Sequence, residues 1–135
     1  MHYGEIISSV ALLFGAALGL GGMFVPTWAA GVVRLMEDSD PLKPGGFSEF
    51  RATFGGLFLF SHTMALVIVL NMPPVFSTMA VLPLAAGWIG AALGRGLSLV
   101  LDRNRNREPG LIPVWIAMEF IIGLAIAAPL AQFTG

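Results

Sequence analysis

Two ionisable residues stand inside otherwise uncharged apolar stretches of this 135-residue sequence: Arg95 in GAALGRGLSLVLD and Glu119 in IAMEFIIG. A charge near the middle of a bilayer costs roughly 3 kcal/mol on insertion scales, so each must be paired, neutralised or wetted. At helical rise Arg95 lies roughly 9 Å before Leu101, and Glu119 about 12 Å after Leu111. A short polar loop joins the two stretches, so the opposite charges come within about one helical turn of the same depth. That placement suits either an Arg95–Glu119 clamp that sets helix register or a substrate or proton site. Trp88, Ala91, Arg95, Ser98 and Asp102 share one helix face, and Arg51, Gly55, Phe58 and His62 share another. Turning both faces inward gathers Arg51, Arg95, Asp102 and Glu119 into an expected polar chamber with Glu49 at its mouth.

His62 is the one other titratable residue deep in an apolar stretch, since His2 stands at the terminus. A neutral imidazole ligates haem iron or a chlorophyll magnesium, which makes His62 the candidate pigment ligand; a hydrogen-bonded packing role is the favoured alternative. No catalytic triad, zinc-binding HExxH, metal-spaced carboxylate set or dinucleotide fingerprint is present. Neither catalytic residues nor a bound metal or cofactor is therefore expected.

The elements that must position these groups follow from composition. Hydrophobic residues make up 56% and charged residues 11% of the chain, against roughly 25% charged in an average soluble domain. So few charges could not cover a soluble globule. The net charge of −1 supplies no field for nucleic acid, and the absence of cysteine excludes disulfides and thiol chemistry. Four apolar stretches, about 6–26, 50–72, 75–101 and 111–132, approach or exceed the roughly 20 residues that cross a bilayer as helix. The expected fold is all-α: a single-domain polytopic membrane protein built as an antiparallel four-transmembrane-helix bundle. Ser48 is the expected N-cap of the second span. A short interfacial helix is expected over Thr27 to Met36, where Trp28, Val32, Leu35 and Met36 fall on one face.

Every cation falls on one side of that bundle. Arg34, Lys43 and Arg51 flank the first connection, and Arg95, Arg103, Arg105 and Arg107 flank the third. The positive-inside rule then puts loops 27–50 and 102–110 in the cytoplasm and both termini in the periplasm of a bacterial inner membrane.

Small residues mark the helix contacts. Glu5, Ser8, Leu12, Gly15, Gly19 and Gly22 share a face of the first span, while Ala86, Gly90, Gly94 and Ser98 form a ridge on the third. Such ridges let backbones approach closely in lipid. Internal packing is the expected use of Gly15, Gly19, Gly22, Gly90 and Gly94, with a subunit-binding groove as the alternative.

The stretch FSEFRATFGGLF from Phe47 to Phe58, taken with GAALGRGLSLVLD and the run EFIIG from Glu119, resembles an uncharacterised bacterial family of four-transmembrane-helix membrane proteins, known as a domain of unknown function. The resemblance covers nearly the whole chain. It implies an inner-membrane bundle whose recurring polar positions match Glu49, Arg51, Arg95, Asp102 and Glu119, and it implies no substrate, cofactor or reaction. The functional expectation is a non-catalytic accessory, scaffold or assembly subunit of a larger membrane complex. Its partners would be membrane lipids and either another membrane protein or further copies of itself. The alternatives are a small transporter or channel working through Arg95 and Glu119, and a lipid- or quinone-binding membrane protein.

Overall fold

A computed structural model of the chain describes residues 2–34, 46–102 and 111–133, and every element among them is helical. The basic residues Lys43, Arg103, Arg105 and Arg107, with Leu35 and Met36 of the expected interfacial helix, lie outside the described residues.

Helix α1 (Tyr3–Phe24) starts on a half-formed capping box. The carbonyl of His2 accepts from the amides of Glu5 and Ile6, while the Glu5 carboxylate reaches back to the His2 amide at 2.9 Å. The helix ends before Pro26, because a residue preceding proline is pushed out of the helical region; Val25 sits at φ −128° and ψ 64°. Pro26 then opens α2 (Pro26–Val33) from its first turn. This short helix occupies most of the span expected for the interfacial segment. It closes on Arg34, which takes the left-handed conformation (φ 59°) and bonds back to the Ala30 carbonyl.

The next helical run is continuous from Gly46 to Asn71 but changes pitch. It comprises α3 (Gly46–Phe50), a π-helix over Arg51–Leu57, and α4 (Phe58–Asn71). Ser48 lies inside α3 rather than ahead of it, so it is not the N-cap expected from sequence. Pro73 makes the turn, and the Ser77 hydroxyl donates to the Met72 and Pro73 carbonyls at 3.2 and 3.3 Å. From there α5 (Pro74–Leu101) runs for 28 residues.

Three helical runs, Tyr3–Phe24, Gly46–Asn71 and Pro74–Leu101, are long and apolar enough to cross a membrane. The fourth stretch departs from the expected single helix over 111–132. Helix α6 (Ile112–Ile126) has 15 residues, roughly 22 Å at helical rise against a hydrocarbon core of about 30 Å. Pro129 explains the stop. It has no amide hydrogen to give the Ala125 carbonyl, so the chain tightens into a 3-10 turn over Ala128–Phe133, where the Leu130 amide bonds Ala127 at 2.9 Å.

The chain divides into two compact units, one holding residues up to Ala11 and from Ile68 onward, the other Leu12–Val67. In the first, Val81, Ala85, Trp88 and Ala92 of α5 are buried, as are Ile122, Gly123 and Ile126 of α6. Gly123 makes the close approach possible: a methyl group there would stand 2.7 Å from Ile89 Cγ1 and 3.1 Å from the Ala85 carbonyl oxygen. At the end of α6, the Ser8 hydroxyl donates to the Ile126 carbonyl at 2.9 Å, and Gln132 Nε2 donates to Thr78 Oγ1 at 3.3 Å. In the second unit, α1 packs through its glycines: Gly15 on the His62 ring, Gly19 on the Leu59 backbone, and Gly22 on the Phe54 carbonyl. All six residues assigned from sequence to one face of α1, Glu5 through Gly22, are buried.

Candidate functional site

The Arg95–Glu119 pairing expected from depth alone is present. Arg95 Nε donates to Glu119 Oε1 at 2.8 Å, with the arginine side chain 36% exposed and the glutamate 7%. The pair forms because Arg95 stands on α5 next to the seam with α6, and Glu119 is one turn from Gly123, whose lack of a side chain lets the two backbones close. The guanidinium also lies over the Trp115 ring, with its central carbon 5.8 Å from the ring centroid. Trp115, Glu119 and Gly123 recur every four residues on one face of α6. That spacing was the available signal for Trp115 and Gly123, which the reading of charges alone passed over.

The pair is only half made. A carboxylate facing an arginine can take two parallel bonds, yet Glu119 Oε2 is buried and makes no hydrogen bond. Among the described residues, the terminal nitrogens of Arg95 make no hydrogen bond either. Leaving a buried acceptor unsatisfied costs about 1–3 kcal/mol, so the second carboxylate oxygen is a local energetic cost that the single bond to Arg95 does not offset.

The other members of the expected chamber fall differently. Asp102 accepts from the Ser98 hydroxyl at 2.7 Å, one turn back on its own helix. Glu49 and Arg51 belong to the second unit. There Glu49 is exposed, and Arg51 Nη1 donates to the Met23 carbonyl near the end of α1. A cation at a helix C-terminus satisfies an orphan carbonyl and complements the helix dipole.

His62 is 2% exposed. Its Nδ1 lies 2.7 Å from the Phe58 carbonyl and so carries the proton of that bond. The ring ends a ladder of aromatic side chains one turn apart, Phe50, Phe54, Phe58 and His62, whose successive centroids are 4.7, 6.3 and 5.2 Å apart. Its other edge lies against Gly15, where a single added methyl would overlap the imidazole. This is the geometry of a hydrogen-bonded packing group. Among the described residues no cluster of three or more histidine, cysteine or acidic side chains is arranged to hold a metal ion.

The glycines divide sharply. Gly15, Gly19 and Gly22 serve the internal contacts expected of them. Among the described residues, Gly90 and Gly94, expected to do the same, have no atom within 4 Å of where a Cβ would stand, and neither does Gly87. The reason is that α5 meets α6 through its other face, where Ala85 and Ile89 lie against Gly123, so the small-residue ridge is left open among the described residues. Sequence reasoning found both ridges but could not tell the occupied one from the empty one.

Comparison with known proteins gave no matching family model, no matching curated protein and no matching solved structure.

Proposed function

We propose that this chain is a non-catalytic integral membrane protein that acts as an accessory, scaffold or assembly subunit of a larger membrane complex. The observation that carries the reading is the open ridge of Gly87, Gly90 and Gly94 on α5. In lipid, helices associate through close backbone approach at small residues. This chain uses that device internally at Gly15, Gly19 and Gly22 and keeps a second ridge free. Purification from the native membrane in mild detergent is expected to recover a membrane-protein partner in fixed stoichiometry. Gly90→Leu combined with Gly94→Leu should remove it without lowering the yield of the chain. Recovery of a solitary chain or of a homo-oligomer alone would count against the proposal.

The same proposal carries the finer architecture. The contacts of Arg95 with Glu119, Ala85 with Gly123 and Thr78 with Gln132 pair rising positions with falling ones, which supports an antiparallel course. The proposed fourth span of the bundle is α6 extended by the 3-10 turn. A bacterial inner membrane, periplasmic termini and cytoplasmic loops 27–50 and 102–110 rest on the segregation of the cations. Kinship with the four-helix bacterial family rests on the three sequence stretches that resemble it.

A second reading, a small transporter, is favoured by one observation: the unpartnered, buried Oε2 of Glu119 beside Arg95. Under it, Glu119→Gln abolishes a proton-linked flux in proteoliposomes while leaving the fold intact. Absence of any flux through the unaltered protein would end this reading.

A further inference from the structure

We propose that Arg95 is a binding group for a phosphate-bearing anion, its guanidinium held ready by Glu119 and Trp115. The arrangement has three parts. Glu119 Oε1 holds the Nε edge at 2.8 Å, and the Trp115 ring lies 5.8 Å under the guanidinium centre. Held on an edge and a face, the planar group loses little further freedom when it binds, which is how preorganisation raises affinity. The second part is unused capacity. The terminal nitrogens carry four N–H donors in a fixed fork that matches two oxygens of a phosphate, and among the described residues they bond nothing.

The third part is room. Arg95 is flanked by Gly94 and Gly96, neither of which has, among the described residues, an atom within 4 Å of where its Cβ would stand, and its own side chain is 36% exposed. Arg95 also stands within reach of an interface. Leu101 ends α5 six residues later, roughly 9 Å at helical rise, and Trp115, which the guanidinium faces, lies one turn nearer that end than Glu119. The anions concentrated at that level of a membrane are lipid phosphates, and basic groups between helices are a recurrent headgroup site. Free inorganic phosphate offers the same chemistry from the aqueous side.

The carboxylate of Glu119 opposes the anion as well as orienting its receptor. The preference should therefore be moderate, and removal of that charge should increase it. The test is native mass spectrometry of the full-length protein from mixed micelles with equal phosphatidylglycerol and phosphatidylcholine, with and without millimolar inorganic phosphate. The expected result is about a fivefold preference for phosphatidylglycerol, the upper range for a partly exposed ion pair. Arg95→Lys keeps the charge but not the fork, and should bring the preference close to one. Glu119→Gln keeps an acceptor for Nε and should raise the preference above that of the unaltered protein. Displacement of the lipid by phosphate would assign the site to the free anion; resistance to it would assign the site to the lipid. An Arg95→Lys protein with undiminished preference, or a Glu119→Gln protein with a lower one, would overturn the proposal.

Discussion

The imidazole of His62 occupies the space that a side chain on Gly15 would fill. One residue's missing methyl is thus the other's packing site, in a layer where His62 is 2% exposed and its Nδ1 is committed to the Phe58 carbonyl. Gly15→Ala should therefore destabilise the chain by about 1–3 kcal/mol through overpacking. Combining it with His62→Ala should recover part of the loss, because the new methyl then enters the vacated space. Thermal unfolding of the four proteins in one detergent checks this, and strict additivity of the two losses would refute it.

Ser8 and Ile126 are joined across the end of α6, where Pro129 has stopped the helix and left carbonyls without intrahelical donors. Ser8→Ala should cost about 1–2 kcal/mol, since it orphans a buried acceptor and supplies nothing in return. Hydrogen exchange should locate the effect in the amides after Ile126, with α4 unaffected. Uniform loss of protection along the chain would show that Ser8 does something other than cap.

Arg95 and Glu119 can be tested as a pair against the same pair removed. Glu119→Leu alone strands the arginine and should lower stability by roughly 2 kcal/mol, less than for a fully buried pair because Arg95 is partly exposed. Arg95→Leu with Glu119→Leu should restore stability to within about 1 kcal/mol of the starting protein, since apolar replacements of buried pairs are often neutral. If the double variant is stable and co-purifies with the same proteins as the unaltered chain, the pair does not serve the partner binding proposed above. If it is stable but inert, the pair is functional.

Topology is open to direct test because the chain has no cysteine, so single cysteines can be introduced without background. Cysteines at His2 and Met72 should react with an impermeant maleimide in intact cells. Cysteines at Lys43 and Asn104 should react only after permeabilisation. The opposite pattern would invert the proposed orientation while leaving the helices as described.

What the sequence determined by itself is what depends on composition and on spacing along one helix. The length of the apolar stretches and the shortage of charge require helices suited to a membrane, because an unpaired backbone group in hydrocarbon is costly. The buried face of α1 was legible because residues three and four apart on a helix align whatever surrounds them. The meeting of Arg95 with Glu119 was legible for a similar reason, since a short loop and a known rise per residue put both at one depth. Proline chemistry was legible in principle too, yet the run from Leu111 onward looks like one helix until Pro129 is given its full weight.

Tertiary structure decided everything that depends on which face of a helix meets which neighbour. Nothing in the spacing of Gly90 and Gly94 distinguishes them from Gly15 and Gly19; only the packing of α5 on α6 through Ala85 and Ile89 leaves the first pair bare among the described residues. It also decided that Arg95 meets Glu119 through one bond instead of two, that Trp115 lies beneath it, and that Arg51 answers a carbonyl of α1. The physical reason is common to all of these. A helix's own geometry sets which residues share a face, whereas the rotation of that helix about its axis is set by its partners, and a sequence carries no local record of that angle.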